Sequence, residues 1–214
     1  MSKEKIGLFF GTFDPIHNGH LRIAKYITEE KLADKVWLVV TPENPIKAGS
    51  KISSFNHRFN MAKIATENYD NIIPSDLEVN LKKPNYTIDT LEYISNKLKD
   101  IEFSLIIGED NYKIFNTWKD YKKIINKYKI FIYPRKGTLN ENLHIINENT
   151  MYIGGPRIDL SSTNIRKIVS KKSDPMFLLP GFVINKLLFF SKRERDGNIY
   201  LSVLFSVFLI LKLK

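Results

Sequence analysis

The 214-residue chain contains no cysteine, so disulfides, thiolate metal centres and cysteine nucleophiles are excluded. Histidine is also scarce, with four in all. His17 and His20 stand three residues apart, but His57 and His144 lie far from them in unrelated surroundings, so a metal site at the pair lacks a partner ligand. Arginine-rich blocks with interleaved aromatics are missing. The formal net charge of +10 therefore reads as a lysine-studded, solvated surface, and no nucleic-acid partner is expected. Residues 1–5 run into a strand without an apolar signal region, which predicts a cytoplasmic protein. The apolar run over residues 199–211 is shorter than the roughly 20 residues of a membrane span. It reads as a core or interface segment, and the oligomeric state stays open.

A chain of this length with 43% hydrophobic residues can bury a sizeable core. Strand and helix patterns alternate along it. Residues 6–10 read as a buried strand, 19–31 as a helix and 35–40 as a second strand. Ser53 or Ser54 can cap a helix running through residue 68, and 75–81 alternates like a half-exposed strand. Thr87 is expected to cap a helix through residue 99, and 103–107 is a strand ended by Gly108. One or two short helices cover 110–127, and a strand over 130–133 is closed by Pro134. Short strands near 144–146 and 151–153 precede a helix from Ser161 or Ser162 through residue 171, then another from Asp174-Pro175 through 190. The alternation predicts an α/β fold with a doubly wound, mainly parallel sheet and a helical C-terminal part. We expect one domain over residues 1–190 and an atypical apolar tail over 191–214.

The stretch Gly11-Thr12-Phe13-Asp14-Pro15-Ile16-His17-Asn18-Gly19-His20 carries the chemistry. It joins the first strand to the first helix, where a sheet of this kind opens its ligand crevice. Gly11 allows close approach of the backbone, and the free amides of the helix point at whatever lies in the crevice. Two imidazoles beside those amides suit a phosphate chain, to which they donate hydrogen bonds as negative charge builds. The second constellation is Ser161-Ser162-Thr163-Asn164-Ile165-Arg166. Capping a helix explains one hydroxyl; the others, with Arg166 one turn on, can form a second phosphate-binding jaw.

These two motifs resemble those of the nucleotidylyltransferase superfamily, and the segments between them resemble bacterial nicotinate-nucleotide adenylyltransferases. Pro84-Asn85-Tyr86-Thr87-Ile88-Asp89-Thr90-Leu91 is similar to that family's nicotinate-binding segment, and Ile106-Ile107-Gly108-Glu109-Asp110 to its strand-end nucleotide contact. Trp118 stands where the family places a stacking aromatic. The resemblance implies a Rossmann-like nucleotidylyltransferase fold and transfer of adenylate from ATP to nicotinate mononucleotide, with Mg²⁺ bound through the ATP phosphates. It assigns catalysis to His17, His20 and Arg166, and ATP binding also to Gly11, Thr12, Phe13, Gly108, Asp110, Arg135, Ser162 and Thr163. It assigns the mononucleotide to Lys47, Tyr86, Thr87 and Trp118. Departures are Phe10 in place of a frequent glycine, Ile46 where a histidine is usual, Glu109 in place of a small residue, and the tail. The alternatives are transfer to another phosphate ester, such as nicotinamide mononucleotide or phosphopantetheine, and a non-catalytic nucleotide-binding protein.

Overall fold

The computed structural model describes residues 2–45, 52–134, 148–155, 160–170 and 180. Six strands form one all-parallel sheet: β1 (Glu4–Gly11), β2 (Lys35–Val40), β3 (Ile72–Ser75), β4 (Ile101–Gly108), β5 (Lys129–Tyr133) and β6 (Thr150–Tyr152). Their order is β3-β2-β1-β4-β5-β6. The direction of winding reverses between β1 and β4, so the crevice beyond their carboxyl ends is the topological switch point.

Neighbouring strands alternate their side chains between two cores. From β1, Ile6 and Leu8 enter one core while Phe9 enters the other. From β2, Val36, Leu38 and Val40 face one side and Val39 the other. Helices α1 (Asn18–Glu29) and α2 (Phe55–Thr66) cover the Phe9 face. Helices α3 (Thr87–Lys97) and α5 (Tyr121–Lys127) cover the Leu8 face. Leu8, paired in register with Trp37 on one side and Leu105 on the other, is fully buried. Each such leucine contributes on the order of 1.5–3 kcal/mol. This burial on both faces explains why the strands read as unbroken apolar runs.

β2 matches its expected span, and α1 ends two residues early. Lys31 takes a left-handed conformation (φ 54°) that stops the helix after the Glu30 cap. The strand expected over 75–81 is instead β3, Ile72–Ser75. It carries Pro74, which an edge strand tolerates because its N–H side needs no partner. Residues 77–80 form a turn that buries Glu78, so the alternation there reflects a buried carboxylate and not a pleat. Thr87 is the first residue of α3, and Tyr86 occupies the cap position. Residues 109–127 hold α4 (Glu109–Tyr112), a 3₁₀ turn (Phe115–Thr117) and α5. α6 (Ser162–Ser170) begins where expected. The strand expected over 144–146, the helix over 174–190 and the tail lie outside the described residues. No helix among the described residues is long and apolar enough to cross a membrane.

Candidate active site

The turn after β1 is shaped by its aromatic residues. Phe13 adopts a left-handed backbone (φ 47°) and is buried. Its ring packs edge-on against Phe9 (centroids 5.8 Å) and His20 (4.9 Å). A Cβ on Gly11 would stand 3.0 Å from that ring, so glycine is what lets the turn close on itself. His17 caps α1, is only 2% exposed, and donates its backbone N–H to Nδ1 of His20 (3.2 Å). That bond makes His20 Nδ1 an acceptor, which places the proton of the neutral ring on Nε2. The two imidazoles stack with centroids 3.6 Å apart and planes inclined by 21°.

The second motif is fastened onto the first. Ser161 Oγ accepts the Asn164 N–H (3.1 Å) and caps α6. Ser162 Oγ donates to the Pro15 carbonyl (3.0 Å). Arg166 donates from Nη1 to the Asp14 carbonyl and from Nη2 to Thr163 Oγ1 (3.2 Å). Thus one hydroxyl caps the helix, while Ser162 and Arg166 grip the turn that leads to the histidines.

Between them, at the switch point, lies a cleft of about 470 Å³. It is lined by Gly11, Thr12 and Phe13, by His17 and His20, and by Ser162 and Thr163. Gly108 and Asp110 enter from the end of β4. A Cβ on Gly108 would overlap Asp110 Oδ1 and lie 3.0 Å from the Tyr133 ring. Tyr86, Thr87 and Trp118 line it as well. Trp118 is partly buried against Phe115 (centroids 5.2 Å), and its Nε1 is buried without a hydrogen-bond partner. Lys119 lies over the Tyr86 ring (5.0 Å) and pairs with Asp89 at 2.7 Å. Of the candidate residues in described segments, Arg166 alone is not in the cleft wall, since its guanidinium is turned to the Asp14 carbonyl. Lys47 and Arg135 lie outside the described residues. Among the described residues, no group of three or more His, Cys, Asp or Glu side chains is placed to hold a metal ion.

Three polar residues at or next to the cleft were given no role of their own by the sequence reading. Arg58 is 1% exposed and is held by four backbone carbonyls. It continues the buried stripe of Met61, Ala62 and Ala65 at helical spacing, which is the signal that could have found it. Asn85 donates to the Glu78 carbonyl (3.0 Å) and accepts the Glu43 N–H (3.3 Å), anchoring the residues that precede Tyr86. Glu78 Oε1 accepts from Thr90 Oγ1 (2.7 Å), while Oε2 is buried without a partner. Burial pushes the Glu78 carboxyl above its ordinary range, against the hydrogen bond from Thr90 that pulls it down.

A switch-point cleft lined by stacked imidazoles and by a hydroxyl-rich helix start defines a nucleotidyl-transfer protein. Residues 8–168 match the model of the cytidylyltransferase-like family. A probable nicotinate-nucleotide adenylyltransferase of Flavobacterium psychrophilum is 42% identical over 177 residues, spanning 82% of this chain and 92% of the relative. One from Bacteroides thetaiotaomicron is 38% identical over 179 residues, 83% and 88% of the two chains. The nicotinic acid mononucleotide adenylyltransferase of Plasmodium falciparum complexed with NaAD shares the fold, with a TM-score of 0.75 at 21% identity over 88% of this chain and 96% of that one. The chain belongs to the nicotinate-nucleotide adenylyltransferases, within the cytidylyltransferase-like family.

Proposed function

We propose that the protein transfers adenylate from MgATP to nicotinate mononucleotide, forming the deamido dinucleotide of NAD biosynthesis and releasing pyrophosphate. The observation that carries this reading is the stacked His17–His20 pair beside the Gly11–Phe13 turn, lining one cleft with Tyr86, Thr87 and Trp118. Phosphate-binding groups and an aromatic residue thereby line one and the same cleft.

The chemistry needs little from the protein. The acceptor's phosphate monoester has a second pKa of about 6 and is largely dianionic at neutral pH. An oxygen of that group forms the new bond to the α-phosphorus as the bond to the β-phosphate breaks, and pyrophosphate leaves. No general base is required; the task is to align two polyanions and offset charge as it shifts to the leaving group. His20, donating from Nε2, and His17 serve the α- and β-phosphate oxygens. Ser162, Thr163 and Arg166 hold the β- and γ-phosphates, with Arg166 turning from the Asp14 carbonyl to reach them. Magnesium enters with ATP and is coordinated by phosphate oxygens and water.

Asp110 accepts a hydrogen bond from the adenylate ribose, and Gly108 keeps room for its carboxylate. Trp118 stacks on the pyridine ring while the amides of Thr87 and Lys119 meet the nicotinate carboxylate. Lys47 and Arg135 keep the roles the family resemblance implies, at the acceptor phosphate and beside the adenosine. Residues 1–190 form the catalytic domain, and because both substrates are polyanions of intracellular metabolism we place the activity in the cytoplasm. The test is pyrophosphate release: it should require MgATP and nicotinate mononucleotide together. Release from ATP alone, or none at all, would reject the assignment.

A further inference from the structure

The geometry points to Arg58 as a positioning residue that ties the phosphate-binding turn to the chain after β2, where Glu43 exchanges hydrogen bonds with Asn85 beside Tyr86 on the acceptor side of the cleft. The inference rests on the transferase reading above. The guanidinium has five N–H donors in one rigid plane, and here they gather carbonyls from two loops, the β1–α1 and β2–α2 connections. Nη1 donates to Thr12 (2.7 Å) and Thr41 (2.8 Å), Nη2 to Pro42 (3.2 Å) and Nε to Ser53 (2.9 Å). Thr12 follows β1 in the phosphate-binding turn, Thr41 and Pro42 follow β2, and Ser53 precedes α2. Thr12 and Thr41 both line the cleft.

The bond to Thr12 sets the direction of a peptide plane. The Thr12–Phe13 peptide is trans, so anchoring its carbonyl on Arg58 turns the Phe13 N–H to the opposite side. Phe13 is left-handed, the kind of backbone in which successive N–H groups converge on an anion. The Thr41 N–H also donates to the Gly11 carbonyl (2.9 Å), so the ends of β1 and β2 are joined twice, once directly and once through Arg58. Asp14, itself 2% exposed, accepts the Ser53 N–H (3.2 Å), and its carboxylate favours the Arg58 charge that burial disfavours. From the far side, Arg166 and Ser162 hold the Asp14 and Pro15 carbonyls. The turn that meets the phosphates is therefore clamped between α2 and α6.

A lysine keeps the charge but offers one point of attachment in place of a planar fork. Arg58→Lys should hold one or two of the four carbonyls and let the two sides of the cleft drift. A displacement of about 1 Å between reacting groups costs about 10²-fold in rate. The experiment compares wild type, Arg58→Lys and Arg58→Gln, each assayed well below its own melting temperature. It measures kcat, the KM for MgATP and the KM for nicotinate mononucleotide, with circular dichroism as the control for folding. We expect kcat to fall about 10²-fold in Arg58→Lys and further in Arg58→Gln, while each KM stays within about threefold. Wild-type kcat in a folded variant would overturn the proposal. So would a loss that tracks the unfolded fraction, or variants that fail to fold even in the cold, since Arg58 would then serve the fold alone. An inactive wild-type protein would reject the transferase reading itself, which separates the two failures.

Discussion

Replacing His20 by alanine separates what this ring does for the fold from what it does for the reaction. On the fold side, the ring accepts the His17 N–H at 3.2 Å, stacks on His17 at 3.6 Å and meets Phe13 edge-on at 4.9 Å. Losing a capping interaction costs about 0.5–2 kcal/mol, and an aromatic contact about 0.5–1.5 kcal/mol. The variant should therefore be destabilised by about 1–3 kcal/mol and stay folded at assay temperature. On the reaction side, the Nε2–H donor is lost from the phosphate chain. Removal of one preorganised donor of this kind costs about 10²–10³ in kcat. The assay is pyrophosphate release at saturating MgATP and nicotinate mononucleotide, with a thermal melt on the same preparation. A kcat within about threefold of wild type would refute the donor role. A large loss accompanied by full unfolding would show that the ring holds the turn and does no chemistry.

Three further perturbations read other parts of the site. Gly108→Ala should destabilise the protein by about 1–3 kcal/mol through overpacking and raise the KM for ATP, because the new methyl displaces Asp110 and presses on Tyr133; an unchanged KM for ATP would remove Asp110 from the nucleotide site. Trp118→Ala should raise the KM for the mononucleotide far more than that for ATP, and equal effects would dismiss the stacking role. Burial raises the Glu78 carboxyl above its ordinary 4.5, so the native state holds a proton that the unfolded chain gives up. Stability from this group is therefore greatest below pH 4.5 and declines as pH rises through the folded-state value. Glu78→Gln should flatten that decline in melting temperatures measured from pH 4 to pH 8, and an identical slope would contradict the buried-proton account.

Much of the fold was legible because its local signals agreed. β2 could be read to the residue since Lys35–Val40 is apolar enough to be buried on both faces. The His-x-x-His spacing foretold neighbouring rings because the capping turn of α1 places positions three apart side by side. Ser161 behaved as a cap for the reason that makes serine a cap anywhere. The resemblance to nicotinate-nucleotide adenylyltransferases is borne out by relatives at 42% identity. What escaped notice was buried polar structure. Glu78 supplied a polar position to an apparent alternation, which concealed a turn as a strand. Arg58 was not singled out although it lies on the apolar stripe of α2. Both are stabilised by backbone and hydroxyl groups distant in sequence, and periodicity carries no record of such partners.

The most direct test follows labelled α-phosphate from MgATP into dinucleotide with nicotinate mononucleotide or nicotinamide mononucleotide as acceptor. The account predicts label joined to the acceptor's phosphate in both products, with kcat/KM strongly favouring the nicotinate form. Equal kcat/KM for the two would contradict a carboxylate site at Thr87 and Lys119, and label in neither product would contradict the transferase.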